Sequence, residues 1–310
     1  MKIFKPTFWD KKDSLIGLLL LPISFLLQVF IALKKNIFKS KKVAIPVICV
    51  GNIYVGGTGK TPLSIEIIKI LKKHYKKAAI VKKSYKEHQD EFKLIRSKNV
   101  MLFKHSSRLT AINEAIKEKF DCVVLDDGFQ DFSINKDVSV ICFNERQLVG
   151  NGMTLPSGPL RESLSSLGRC QIVVINGDKN IEFENKIKNI ANNIKIYYSK
   201  YLPTNVDNFR NQNLLAFAGI GNPINFFNIL EKNNLTVAKK ISFPDHYSYS
   251  LKELYQLIDL SVKNNLKIIT TEKDFFRISH FQLSQIKYLN LELKILDENR
   301  FEKELVKYLW

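Results

Sequence analysis

Arginine and cysteine are scarce in this 310-residue sequence, and it contains no internal repeat and no low-complexity tract. The four cysteines, Cys49, Cys122, Cys142 and Cys170, are scattered, with no C-x-x-C pair among them. Nothing in that pattern points to a disulfide framework or a zinc site, and small buried hydrophobes in a reducing, cytoplasmic setting fit best. Only eight of the 48 basic residues are arginine, against 30 acidic residues, giving a formal charge of +18. A lysine excess of this kind reads either as a solvated surface or as attraction to a polyanion: anionic lipid, phosphorylated substrate or nucleic acid. Charge does not choose among these, but no RNA- or DNA-reading motif is present. The N-K-x-D guanine reader is also missing, since Thr271-Glu272-Lys273-Asp274 has a different order.

One stretch lacks charge altogether. Leu15 to Leu33 holds 19 uncharged residues, flanked by Lys11 and Lys12 on one side and by Lys34, Lys35, Lys39, Lys41 and Lys42 on the other. As a helix it is about 28 Å long, near the ~30 Å thickness of bilayer hydrocarbon. No small-x-small cleavage site follows, which argues against a signal peptide. Pro22, Ser24 and Gln28 interrupt the run, and both flanks are basic, so the positive-inside rule gives no orientation. The expectation is membrane association, with a helix lying in one leaflet favoured and a single span left open.

Beyond the run, apolar strand patterns alternate with helical ones. Strands are expected at Val43–Val50, Lys77–Lys82, Asp121–Asp127, Val138–Phe143 and Cys170–Asn176, with helices at Thr61–Tyr75 and Arg108–Phe120. Such alternation predicts a parallel sheet covered on both faces. A polar stretch around Pro203 precedes a new apolar strand at Leu214–Ala218, so a change of domain is expected near residues 200–212.

The stretch VICVGNIYVGGTGKTPLS, Val47 to Ser64, runs from strand through a glycine loop into a helix. A phosphate cradle needs inward backbone N–H groups, a lysine and a hydroxyl. Gly56, Gly57, Thr58 and Gly59 form the loop, Lys60 supplies the charge, Thr61 the hydroxyl, and Pro62 sits in the first helical turn where its missing N–H does no harm. The usual G-x-x-x-x-G-K-[ST] spacing would place glycine where Tyr54 stands. Further on, VVLDDGFQ ends an apolar strand in Asp126 and Asp127, which point different ways; after a phosphate loop the reading favoured over a plain Asp-Asp-Gly turn sets one on a metal and the other on Lys60. LPSGPLRE is a rigid loop ending in Arg161 and Glu162, which reads either as a helix start with solvated charges or as an arginine placed to meet a phosphate. FPDHYSYS sets Asp245 against His246.

In this order, the apolar anchor, GNIYVGGTGKTP, LDDGFQ, GNGMTLPSGPLRE, AGIGNP, FPDHY and TTEKD resemble the tetraacyldisaccharide 4′-kinase family, as far as about residue 280. Each motif alone is common; the ordered set is specific. The resemblance implies an α/β fold: a P-loop NTPase-type parallel sheet with helices on both faces, a smaller second α/β domain, and a site in the cleft between them. The expected division is a membrane-associated helix over 1–36, a kinase core over 37–205 and a C-terminal domain over 206–310. The implied reaction transfers the ATP γ-phosphate to the 4′-hydroxyl of a tetraacyldisaccharide 1-phosphate, a step of lipid A biosynthesis.

By the same resemblance, Gly56 to Pro62 bind ATP and Thr61, Asp126 and Glu162 hold Mg²⁺. Lys60, Asp127, Asp90 and His246 serve catalysis, Asp90 as the base and His246 as its orienter, and Gln130 and Arg161 meet the lipid substrate. Three positions depart from the family. Lys82-Lys83-Ser84-Tyr85 stands where it usually reads S-R-G-Y, Gln89 where it has glycine, and Asp131 where histidine follows DDGFQ. The expected setting is the inner (cytoplasmic) membrane with the catalytic domain facing the cytoplasm, a membrane surface and a lipid substrate as partners, and neither nucleic acid nor a protein partner. The alternative is a membrane-bound P-loop ATPase or GTPase switch acting on a protein.

Overall fold

A computed structural model of the chain describes residues 6–37, 40–74, 76–84, 89–245 and 247–309; the side chains of Lys34, Asn36, Ile37, Gln89 and Asp90 lie outside that description. The chain opens with helices α1 (Leu15–Leu19) and α2 (Leu21–Ile37), followed by β1 (Val47–Gly51), α3 (Lys60–Lys73), β2 (Ala78–Lys83) and α4 (Gln89–Ser97). Next come β3 (Leu102–His105), α5 (Arg108–Lys117), β4 (Cys122–Asp126), β5 (Val138–Asn144), β6 (Ile172–Asn176), α6 (Ile181–Ile190) and β7 (Lys195–Pro203). The remainder is β8 (Asn213–Ala218), α7 (Pro223–Lys232), β9 (Thr236–Ser242), α8 (Leu251–Lys263), β10 (Lys267–Thr271), α9 (Glu272–Ile278), β11 (Lys287–Leu289), β12 (Leu291–Ile295) and α10 (Glu298–Val306).

Two compact units result. One gathers the described residues of Lys5–Ser84, Asn99–Lys200 and Leu293–Trp310; the other holds residues 89–98 and Tyr201–Glu292. The linear division 1–36, 37–205 and 206–310 therefore needs correction. The α1–α2 segment clusters with the first unit, and the chain also changes unit before α4, after it, and again within β12.

The first unit is built on an eight-stranded sheet in the order β12-β7-β6-β5-β1-β4-β2-β3. From β7 to β3 every neighbouring pair is parallel. Its central strands are continuous apolar runs because helices cover both faces; Val47, Ile48, Cys49 and Val50 are wholly buried. Burying each such valine or isoleucine side chain contributes about 1.5–3 kcal/mol. The four cysteines are buried and free, as their sequence setting implies. Burial pushes the thiols of Cys122, Cys142 and Cys170 up to about 12, so they behave as hydrophobes.

The second unit has a four-stranded parallel sheet in the order β11-β10-β8-β9. Asp274, fully buried in α9, accepts hydrogen bonds from the Gly219 amide, the Thr271 and Tyr249 hydroxyls and the Arg277 guanidinium. This one carboxylate ties AGIGNP and TTEKD to the turn after FPDHY. Helix α4 packs against α9 in the same unit through the Lys273–Glu91 ion pair at 2.9 Å and a Lys93 hydrogen bond to Ser279 at 2.8 Å.

Candidate active site

Strand β1 lies between β4 and β5, so its C-terminal end sits at the point where the strand order reverses, the usual place for a ligand in an open parallel sheet. The loop after β1 is fastened on both sides. The Asn52 side-chain amide donates to the Gly56 carbonyl and to the Thr58 hydroxyl at 3.0 Å, and the Cys142 thiol donates to the Thr58 carbonyl. Tyr54, 1% exposed, pairs with Leu160, while the Val55 and Arg161 amides donate to the Pro159 and Ile53 carbonyls. The residue that breaks the expected glycine spacing thus anchors the loop to LPSGPLRE.

Helix α3 starts without a side-chain cap. Gly59 has φ +97°, a backbone conformation that side-chain-bearing residues rarely adopt, and it offers no group to the first-turn amides. Those N–H groups, at the positive end of the helix, are what an anionic oxygen would bind.

The two aspartates at the end of β4 diverge as the strand geometry requires. Asp126 is fully buried and accepts hydrogen bonds from Thr61 Oγ1 at 2.7 Å and from the Lys82 ammonium at 2.5 Å, with Ser64 Oγ at 3.5 Å. Asp127 has φ +58° and turns the other way. Its carboxylate is 3.8 Å from Lys60 Nζ and accepts from Arg161 Nη1 at 3.0 and 3.2 Å. Burial would raise the Asp127 carboxyl, but the Lys60, Arg161 and Lys82 cations outweigh it and hold it below the usual carboxylate range. Burial lowers the Lys60 ammonium, assisted by Arg161 and Lys82 and opposed by Asp127 and Asp126.

Around this centre, Gln130 donates to the Asn52 carbonyl at 2.9 Å and accepts weakly from Arg161. Glu162 is 5% exposed and pairs with Arg169 at 2.5 Å; its other oxygen, Oε1, is buried without a hydrogen-bond partner. Arg108, at the start of α5, donates to the Asp127 carbonyl at 2.7 Å and to Asp131 at 2.9 Å, and Ser133 also binds Asp131. Asp131 is therefore occupied in holding the turn after DDGFQ.

The structure brings Lys60, Thr61, Asp126, Asp127, Gln130 and Arg161 together in one unit. Glu162 is drawn to Arg169. Asp90 stands on α4, with its side chain outside the described residues, and His246 lies outside them altogether.

A family model described as Tetraacyldisaccharide-1-P 4'-kinase matches residues 16–101 and 90–309. The chain belongs to the tetraacyldisaccharide 4′-kinase family. A relative from Pelagibacter ubique named tetraacyldisaccharide 4'-kinase is 45% identical over 312 residues, covering 99% of this chain and 98% of that protein. One of the same name from Rickettsia canadensis is 31% identical over 327 residues, with 99% and 98% covered. The crystal structure of LpxK from Aquifex aeolicus in complex with ATP superimposes with a TM-score of 0.73 at 24% identity, over 96% of this chain and all of that one, and so shares the fold. None of these relatives is named as a nucleotide switch.

Three residues of this family member's centre were not legible as site residues: Lys82, Arg108 and Arg169. Lys82 carried the clearest signal, a lysine inside the apolar run AAIVKK. The β2–β4 register, with Val81 opposite Leu125, sets it beside Asp126.

For magnesium, the donor set fits in kind. A hydroxyl and a carboxylate 2.7 Å apart are the hard oxygens that Mg²⁺ takes beside a phosphate loop, and Glu162 Oε1 is a buried acceptor with spare capacity. Among the described residues no group of three or more His, Cys, Asp or Glu side chains forms an all-protein cage. An ion held largely by substrate phosphates needs none.

Proposed function

We propose that this chain transfers the γ-phosphate of ATP to the 4′-hydroxyl of a tetraacyldisaccharide 1-phosphate at a membrane surface. Family membership makes it an ATP-dependent kinase of lipid A biosynthesis. The observation that carries the site assignment is the uncapped start of α3 beside Lys60, with Asp126 and Asp127 at its side.

In this reading the amides of Gly57 to Thr61 bind the phosphates, and Lys60 exchanges its 3.8 Å partner Asp127 for phosphate oxygens. Arg161, on the rigid loop, steers the γ-phosphate and the acceptor, with Gln130 beside it. Thr61 and Asp126, with Glu162 at the margin, would hold Mg²⁺. Its chemistry there is neutralisation of charge on the phosphate oxygens. By family resemblance, Asp90 takes the proton of the sugar hydroxyl and His246 orients it.

The N-terminal helices support a membrane surface as the workplace, on the cytoplasmic side of the inner membrane where ATP is available. No helix of the described residues is long and apolar enough to cross a membrane. Their polarity is inverted: Ser14, Gly17 and Ser24 are buried, whereas Leu15, Leu19, Phe25 and Phe30 are 64–79% exposed. Ser24 bonds to Ser157 and to the Thr154 carbonyl, Gln28 to the Arg161 carbonyl, and Trp9 to the Pro156 carbonyl. The polar stripe thus faces protein, and the apolar remainder, bordered by lysines, suits lipid.

Purified protein in detergent micelles with labelled ATP, Mg²⁺ and the disaccharide 1-phosphate should yield the 4′-phosphorylated lipid. Folded protein that transfers nothing would defeat the proposal. Lys60→Ala should cut turnover roughly 10²–10³-fold, the usual loss when one charge-stabilising donor is removed from a transition state.

A further inference from the structure

Lys82 stands where the metal-binding oxygens converge. Its ammonium is 2.5 Å from Asp126 Oδ2 and 3.4 Å from Thr61 Oγ1, so it sits on the two groups that the kinase reading assigns to Mg²⁺. The residue is 5% exposed and Asp126 is fully buried. A buried carboxylate needs a countercharge, and removing a cation hydrogen-bonded to it is costly. Lys82 meets that need from inside the chain, placed by the pairing of β2 with β4.

An ammonium already seated on Asp126 Oδ2 competes with a divalent ion for that oxygen, because two cations that close repel each other strongly where burial weakens screening. We propose that Lys82 is a built-in occupant of the metal position, which pairs with Asp126 until a divalent ion arriving with the nucleotide displaces it. This rests on the kinase reading of the site. The displaced ammonium, on a flexible four-carbon stem, stays within the phosphate-binding region, where it adds a second lysine to Lys60. Metal entry thereby requires phosphate as well as carboxylate, since phosphate supplies the negative charge that receives Lys82.

The test measures metal directly. Mn²⁺ binding, followed by electron paramagnetic resonance in the presence of saturating non-hydrolysable ATP analogue, should be at least about tenfold tighter in Lys82→Ser than in wild type, because the internal competitor is gone. Equal or weaker Mn²⁺ binding in the variant would overturn the proposal. Without nucleotide, millimolar Mg²⁺ should raise the unfolding temperature of Lys82→Ser and leave that of wild type unchanged; an equal response in both would likewise overturn it.

If the variant does not fold, wild type decides alone. Amine labelling of Lys82, read by mass spectrometry, should increase when Mn²⁺ is added to the analogue complex. Unchanged labelling counts against displacement. Failure of the analogue to bind wild type would overturn the kinase reading itself, whereas analogue binding with no difference between wild type and variant defeats only the role of Lys82.

Discussion

Asp126 and Asp127 are neighbours in sequence with opposite company. The first is buried against a hydroxyl and Lys82, the second is partly open and shared by Lys60 and Arg161. In the proposed kinase reading phosphate takes both cations of that second group, so Asp127 competes for them. Asp127→Asn should therefore bind ATP several-fold more tightly, measured by calorimetry, while phosphoryl transfer slows; weaker binding would show that Asp127 assists the nucleotide rather than competing with it. Much of this centre was legible in sequence because strand, loop and helix follow one another within Val47–Ser64, and because strand alternation sends adjacent carboxylates apart. Lys82 was not legible. It is one lysine in a chain rich in them, and its meaning comes from register between β2 and β4, a long-range property. Arg108 and Arg169 share that limitation: Arg108 reaches the Asp127 carbonyl with α5 and β4 lying between them in sequence, and Arg169 reaches Glu162 around a short helical loop, and no local pattern gives either approach.

Helix α8 shows how an element is fixed by its first turn. Ser250 accepts from the Glu253 amide, and Glu253 accepts in return from the Ser250 amide and hydroxyl, a reciprocal cap. The hydroxyls of Ser250 and Tyr247 and the Ser250 amide hold the Glu253 carboxyl down at about 2, against an ordinary value of 4.5. A depressed carboxyl contributes stability above its unfolded value, and that contribution disappears as pH falls toward 2. Ser250→Ala should raise the Glu253 carboxyl toward 4.5 in a carbon-13 titration. The same variant should lose about 1 kcal/mol in urea unfolding at neutral pH. Element boundaries were less legible than element types. The first strand was expected over Val43–Val50 and forms over Val47–Gly51, since Pro46 lacks the N–H a central strand must donate. Val43 and Ile45 still pack on the core beneath it.

At the scale of the whole chain, the net charge of +18 and the exposed apolar helices belong to one reading. Each lysine near an anionic bilayer contributes about 1 kcal/mol, and that share is screened by salt. Sedimentation with anionic vesicles should fall as salt rises. It should fall further in the double variant Phe25→Glu, Phe30→Glu at low salt, where charge alone still attracts; unaltered binding by that variant would remove the helices from the membrane. The interleaving of the two units escaped sequence reading because composition changes only near residue 200. The excursion through α4 and the return after Glu292 carry no proline- or glycine-rich break.

The hydrogen bond from Gln28 to the Arg161 carbonyl, with Ser24 seated on Ser157, has a mechanical corollary. The greasy foot and the arginine clamp are bolted to the same short bracket of backbone. On the proposed membrane reading, a push on the foot from lipid headgroups would be felt at the clamp, and trimming the foot away would remove the Gln28 and Ser24 bonds that brace the bracket.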